Sequence, residues 1–116
     1  MYLVIAMWRP KPEWLALTAE ERQAFLTTMG DQLAELNSAG IELVGNGSVD
    51  PAAGDATWTH YAVWRALSLV GAKKFAADAE NSGVPTYFER IQLAGPMLDM
   101  QELAASMIAL PATLDT

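Results

Sequence analysis

The chain contains no cysteine and a single histidine, His60. The first absence excludes disulfides, thiolate metal sites and cysteine nucleophiles. The second leaves no His-x-His or His-x-x-x-His pair, so a conventional multi-ligand zinc or iron site is not expected. Basic residues are also scarce: 7 Lys and Arg stand against 14 Asp and Glu, for a net charge of −7. They are scattered rather than striped. A surface that follows phosphates needs such a stripe, which argues against nucleic acid and against anionic membrane surfaces as partners. The apolar opening, Met1 to Met7, is too short for a membrane span. It also lacks the basic start of a signal peptide, so a cytoplasmic location is the expectation. Repeats and low-complexity tracts are missing as well.

What the sequence does have is apolar residues. Of 116 residues, 52% are hydrophobic and 18% charged. That is too apolar for a disordered chain and richer than one small domain needs for a thin core. The surplus points to apolar surface hidden in an interface or around a cavity. We expect one domain over residues 1–110 and a frayed tail over 111–116.

Hydrophobic periodicity sets the element order. Tyr2 to Trp8 is an unbroken apolar run closed by Arg9-Pro10-Lys11-Pro12, which reads as a strand buried on both faces and then a stiff loop. Thr18-Ala19-Glu20-Glu21 is a capping box. Phe25, Met29, Leu33 and Leu36 follow at helical spacing, and Gly40 suits a helix stop, giving a helix over residues 18–39. Ile41 to Val44 is a short strand, bent or bulged by Gly45-Asn46-Gly47. Trp58 to Arg65 is an aromatic-rich strand. Ser68 caps a second helix carrying Leu69, Ala72, Phe75, Ala76 and Ala79 on one side, stopped by Asn81-Ser82-Gly83, with Val84-Pro85 expected to prevent a restart. Tyr87 to Leu93 is the last strand. Asp99 to Glu102 opens a short C-terminal helix that ends before Pro111.

The order strand, helix, strand, strand, helix, strand predicts an α+β domain of ferredoxin-like βαββαβ type. It is a four-stranded antiparallel sheet with two helices on one face, plus the short C-terminal helix. The strands do not alternate apolar with charged residues, as a solvated face requires. The face without helices therefore calls for a cover, and a second copy related by a two-fold axis is the simplest one. With Tyr61-Ala62-Val63-Trp64-Arg65, Gly83, Tyr87-Phe88-Glu89-Arg90 and Gly95, the chain resembles the dimeric α/β-barrel superfamily, and within it a small bacterial family of uncharacterised function. The Arg9 to Trp14 loop and the Gly40 to Gly45 return fit the same resemblance, which covers residues 2–96. It implies a homodimeric barrel. The superfamily includes cofactor-free monooxygenases, isomerases, polyketide cyclases, haem-handling enzymes and proteins without a known reaction, so it narrows geometry rather than chemistry.

Candidate chemistry centres on His60, because histidine is the side chain whose unperturbed pKa lies nearest neutrality. It can be a general base, a haem ligand, or a half-buried histidine hydrogen-bonded to backbone. Strict alternation puts Trp58, His60 and Trp64 on one face, where Trp58, Trp64 and Trp8 can wall an aromatic pocket or simply pack the core. Arg90 suits a substrate carboxylate or enolate, Tyr61 offers a hydroxyl donor, and Glu42 is the acidic candidate among the binding residues. Glu42, Arg65, Glu89 and Arg90 also call for at least one ion pair across the sheet or a dimer. The expected function is a cofactor-independent enzyme of isomerase, cyclase or monooxygenase type, acting on a small apolar or aromatic metabolite and needing no cofactor or metal. A non-catalytic ligand-binding or accessory protein is the alternative. Gly45-Asn46-Gly47 lacks the spacing of a nucleotide loop.

Overall fold

The computed structural model describes residues 1–36 and 40–114. Its elements are β1 (Tyr2–Pro10), α1 (Pro12–Leu15), α2 (Ala19–Leu36), β2 (Ile41–Ser48), β3 (His60–Ala66), α3 (Leu69–Glu80), α4 (Val84–Tyr87), β4 (Phe88–Pro96) and α5 (Met100–Ile108). The four strands form one sheet in the order β2-β3-β1-β4, and every neighbouring pair is antiparallel. This is the ferredoxin-like arrangement that the element order requires.

The core lies on the helix side of the sheet. Val4, Ala62, Trp64, Ala66 and Ile41 meet Ala72 and Phe75 of α3, with Leu33 of α2 packed beside them. Trp64 and Phe75 rings stand 5.2 Å apart and tilted. The helices start where their caps allow. Thr18 Oγ1 accepts from the Glu21 N–H while the Glu21 carboxylate accepts from the Thr18 N–H. The Ser68 hydroxyl accepts from Gly71 N–H. Asp99 and Glu102 complete a second reciprocal box at α5. The expected helix over 18–39 is observed as Ala19–Leu36, and its last three expected residues lie outside the described ones. Of the expected tail, residues 111–114 carry no regular element, and 115–116 fall outside the described residues too.

Several expectations need correction. The last strand begins at Phe88 rather than Tyr87, and two short helical turns, Pro12–Leu15 and Val84–Tyr87, form where no helix is expected. In each, proline sits in the first turn, where its missing N–H has no intrahelical partner to lose. Gly83 takes φ +85°, so it turns the chain and allows α4 to start rather than only ending α3. The strand β2 continues to Ser48, with its register shift between Leu43 and Gly45; the glycine-rich segment bulges the strand without ending it. Within the single chain, β1 is fully buried only on the helix side. Val4 is fully buried, but the alternate residues Leu3, Ile5 and Met7 are only half-buried. Last, β3 begins at His60 rather than Trp58.

Candidate functional site

Pairing register decides which candidate residues share a face. Trp8 of β1 lies opposite His60 of β3 and Arg90 of β4, so the three form one row across three strands. The next row is Ala62, Ala6 and Gln92, and the one after it is Trp64, Val4 and Ala94. Val4, Ala62 and Trp64 belong to the core under the helices, so all three rows belong to the helix side. Strand spacing of roughly 4.8 Å puts the His60 and Arg90 backbones about 10 Å apart, with Trp8 between them.

His60 is held in one orientation. Its ring stacks on Trp8 at 5.9 Å between centroids and 14° between planes, and its Nδ1 lies 2.9 Å from Thr59 Oγ1. The Thr59 hydroxyl donates its hydrogen to the Trp8 carbonyl oxygen at 3.0 Å. A hydroxyl has one hydrogen to give, so in neutral His60 the proton must sit on Nδ1 and be donated to Thr59. Nε2 then carries the lone pair, and no residue among the described ones engages it. The side chain is exposed rather than half-buried.

Arg90 lies deeper. Its side chain is 13% exposed. One Nη donates to the Gln92 carboxamide oxygen, and Gln92 shares the strand face because it is two residues on. The other Nη stands 3.9 Å from the Glu80 carboxylate at the end of α3, beyond hydrogen-bond reach.

The remaining candidates lie elsewhere. Tyr61 is on the opposite face of β3, paired with Met7, and its ring covers Gly47, where a Cβ would come within 2.8 Å of the phenol oxygen. Glu42 is at the far end of the sheet on that opposite face, 3.5 Å from Arg65. Trp58 precedes β3, and the Arg9 guanidinium stands 5.3 Å over its ring, while Arg9 itself bonds Glu89 at 2.7 Å. Alternation stops where the strand stops, so Trp58 does not share the His60 face. Trp64 is a core residue, 8% exposed. The structure thus brings together Trp8, His60 and Arg90, and not Tyr61, Glu42 or Trp58. It adds Thr59, Gln92 and Glu80. The first two were signalled only by adjacency to His60 and by the two-residue period from Arg90, and Glu80 by nothing in the sequence.

A groove of about 680 Å³ runs between α2 and α3. Its floor is Met29, Leu33, Phe75 and Ala79, and Lys74 and Asp78 pair at its rim at 2.8 Å. It includes no residue of the His60–Trp8–Arg90 row. Among the described residues, no group of three or more His, Asp or Glu could hold a metal ion, and no helix is long and apolar enough to cross a membrane.

Comparison with solved structures supports the fold. A protein from Thermus thermophilus, described as a novel heme-binding protein, superposes with a TM-score of 0.70 at 19% identity, covering 91% of this chain. The match takes in 43% of that protein, so this chain spans less than half its length. A comparison with curated proteins found no match. The family model DUF6616, a family of unknown function, matches residues 1–110, and the chain belongs to that family.

Proposed function

We propose that this protein binds a small, largely apolar or aromatic molecule on the helix side of its sheet, and that His60 takes a proton from it through Nε2. The observation that carries this reading is the Thr59 hydroxyl. It commits its hydrogen to the Trp8 carbonyl and so leaves His60 with its lone pair outward. A base must present an acceptor in a fixed direction, and this arrangement supplies one beside a flat indole wall. The reaction is then a cofactor-independent proton abstraction, followed by isomerisation, cyclisation or oxygen insertion. A second reading, ligand binding without turnover, draws on Tyr61. Its hydroxyl, one of two candidates with Arg90 for polarising a carbonyl, is on the other face of the sheet, which leaves His60 with Arg90 alone for that role.

The heme-binding structural neighbour raises haem as a ligand. The residues here do not fit it. The roomy groove between α2 and α3 has no imidazole in its lining, and His60 lies outside that groove with its ring flat on Trp8.

The test is to incubate purified protein with a mixed metabolite extract and identify retained masses by native mass spectrometry, for the wild type and for Trp8→Ala. Retention of a small aromatic or apolar compound that the variant loses supports the site. Retention unchanged in Trp8→Ala, or no retained compound, refutes it.

A further inference from the structure

The geometry points to an anionic ligand: Arg90 receives a carboxylate, and Glu80 occupies that place until the ligand arrives. This rests on the helix-side reading above and names the ligand's class. A guanidinium removed from water calls for a carboxylate with close, well-aligned hydrogen bonds. Arg90 is 13% exposed but lacks such a partner among the described residues. Its close partner is Gln92, a neutral amide that contributes no charge. Its carboxylate, on Glu80, is 66% exposed and stands off at 3.9 Å. Arg9 on the same sheet shows the contrast, since its Nε meets Glu89 at 2.7 Å.

The amide of Gln92 strengthens the case. Its oxygen faces Arg90, so its two N–H donors are turned to other partners and none is engaged by a described residue. A carboxylate arriving at Arg90 meets a cation and a neutral donor together, and displaces one solvated, loosely held glutamate. Glu80 lies at the last residue of α3, where the side chain can swing into water at little cost. Trp8 stands next to Arg90 in the row, so a flat ring carrying the carboxylate has an indole face to lie against.

Equilibrium dialysis with two probes of one shape tests this: 2-naphthoate, and the neutral 2-naphthalenemethanol. Wild type should hold the naphthoate at least ten-fold more tightly. Glu80→Gln should tighten naphthoate binding several-fold, because the competing carboxylate is gone, and leave the neutral probe unchanged. Arg90→Gln should abolish the preference. Melting curves monitor its folding, and Glu80→Gln, an exposed substitution, serves if Arg90→Gln fails to fold. Equal binding of both probes overturns the anionic ligand while the helix-side site stands. Naphthoate binding that is unchanged or weaker in Glu80→Gln overturns the displacement, and a preference that survives Arg90→Gln makes Arg90 structural. If neither probe binds, the helix-side site falls, and this inference with it.

Discussion

At the scale of single residues, His60 separates catalysis from structure. Its ring is exposed and its Nδ1 bonds a neighbouring hydroxyl, so little folding energy depends on it. His60→Gln keeps an amide near the Thr59 hydroxyl but cannot take a proton near neutral pH. The melting temperature should stay nearly unchanged, and turnover of any substrate should fall on the order of 10²–10⁴. Early melting with full specific activity would assign His60 to structure instead. His60 was legible as a candidate because it is the one histidine of the chain, and Trp8 and Arg90 because an aromatic wall and a strand arginine suit a small ligand. Their meeting in one row was not legible. It depends on the registers of two strand pairs, β1 with β3 and β1 with β4, and apolar residues on both faces give no parity signal to fix them. Trp58 shows the limit from the other side. Alternation holds only inside a strand, and a sequence with Trp58, Thr59 and His60 in succession does not mark where pairing begins.

At the scale of elements, the capping boxes were the most legible features, because a cap is local chemistry. The hydrogen bonds from Thr18, backbone first and side chain second, hold the Glu21 carboxyl below its ordinary value of 4.5. A lowered folded-state pKa means that the unfolded chain binds the proton more readily. The contribution of this contact is therefore present above the ordinary carboxylate pKa and is lost as pH falls through the lowered one. Circular dichroism melts between neutral pH and pH 3 should show that Glu21→Gln, which preserves the box geometry, reduces the acid-side loss of stability relative to wild type. Thr18→Ala, which removes the cap oxygen, should cost roughly 1 kcal/mol at neutral pH. Equal acid sensitivity in wild type and Glu21→Gln would remove the charged cap as a source of pH dependence. The two short helices were harder to read. Proline looks like a breaker in sequence, and only its position in the first turn, set by Lys11 and by Gly83 at φ +85°, reverses its meaning.

At the scale of the whole molecule, the balance that matters is between apolar surface and cover. On the sheet face away from the helices, Leu3, Ile5 and Met7 of β1 lie beside Tyr61 and Val63 of β3 and Ile91 and Leu93 of β4. Tyr61, Ile91 and Leu93 are 40%, 39% and 53% exposed. One such residue needs no explanation, but three exposed ones joined by the half-buried Leu3, Ile5, Met7 and Val63 make a contiguous apolar face of the kind that marks an interaction surface. The charges on that face do not solve the problem. Glu42 and Arg65 pair with each other at one end, Arg9 and Glu89 at the other, and the centre is left apolar. We propose that a second copy covers it, sheet face to sheet face, as a two-fold pair. Light scattering at micromolar concentration should then report at least twice the 12.5 kDa chain mass. Leu93→Asp supplies the sharper measurement. Leu93 points away from the Val4, Trp64 and Phe75 core, so a carboxylate there leaves the folded chain intact, but in a dimer it would be buried without a partner. The variant should retain the wild-type circular dichroism spectrum and scatter as a monomer. A wild type that is cleanly monomeric removes the paired-sheet assembly, and a Leu93→Asp variant that stays dimeric moves the contact to another face.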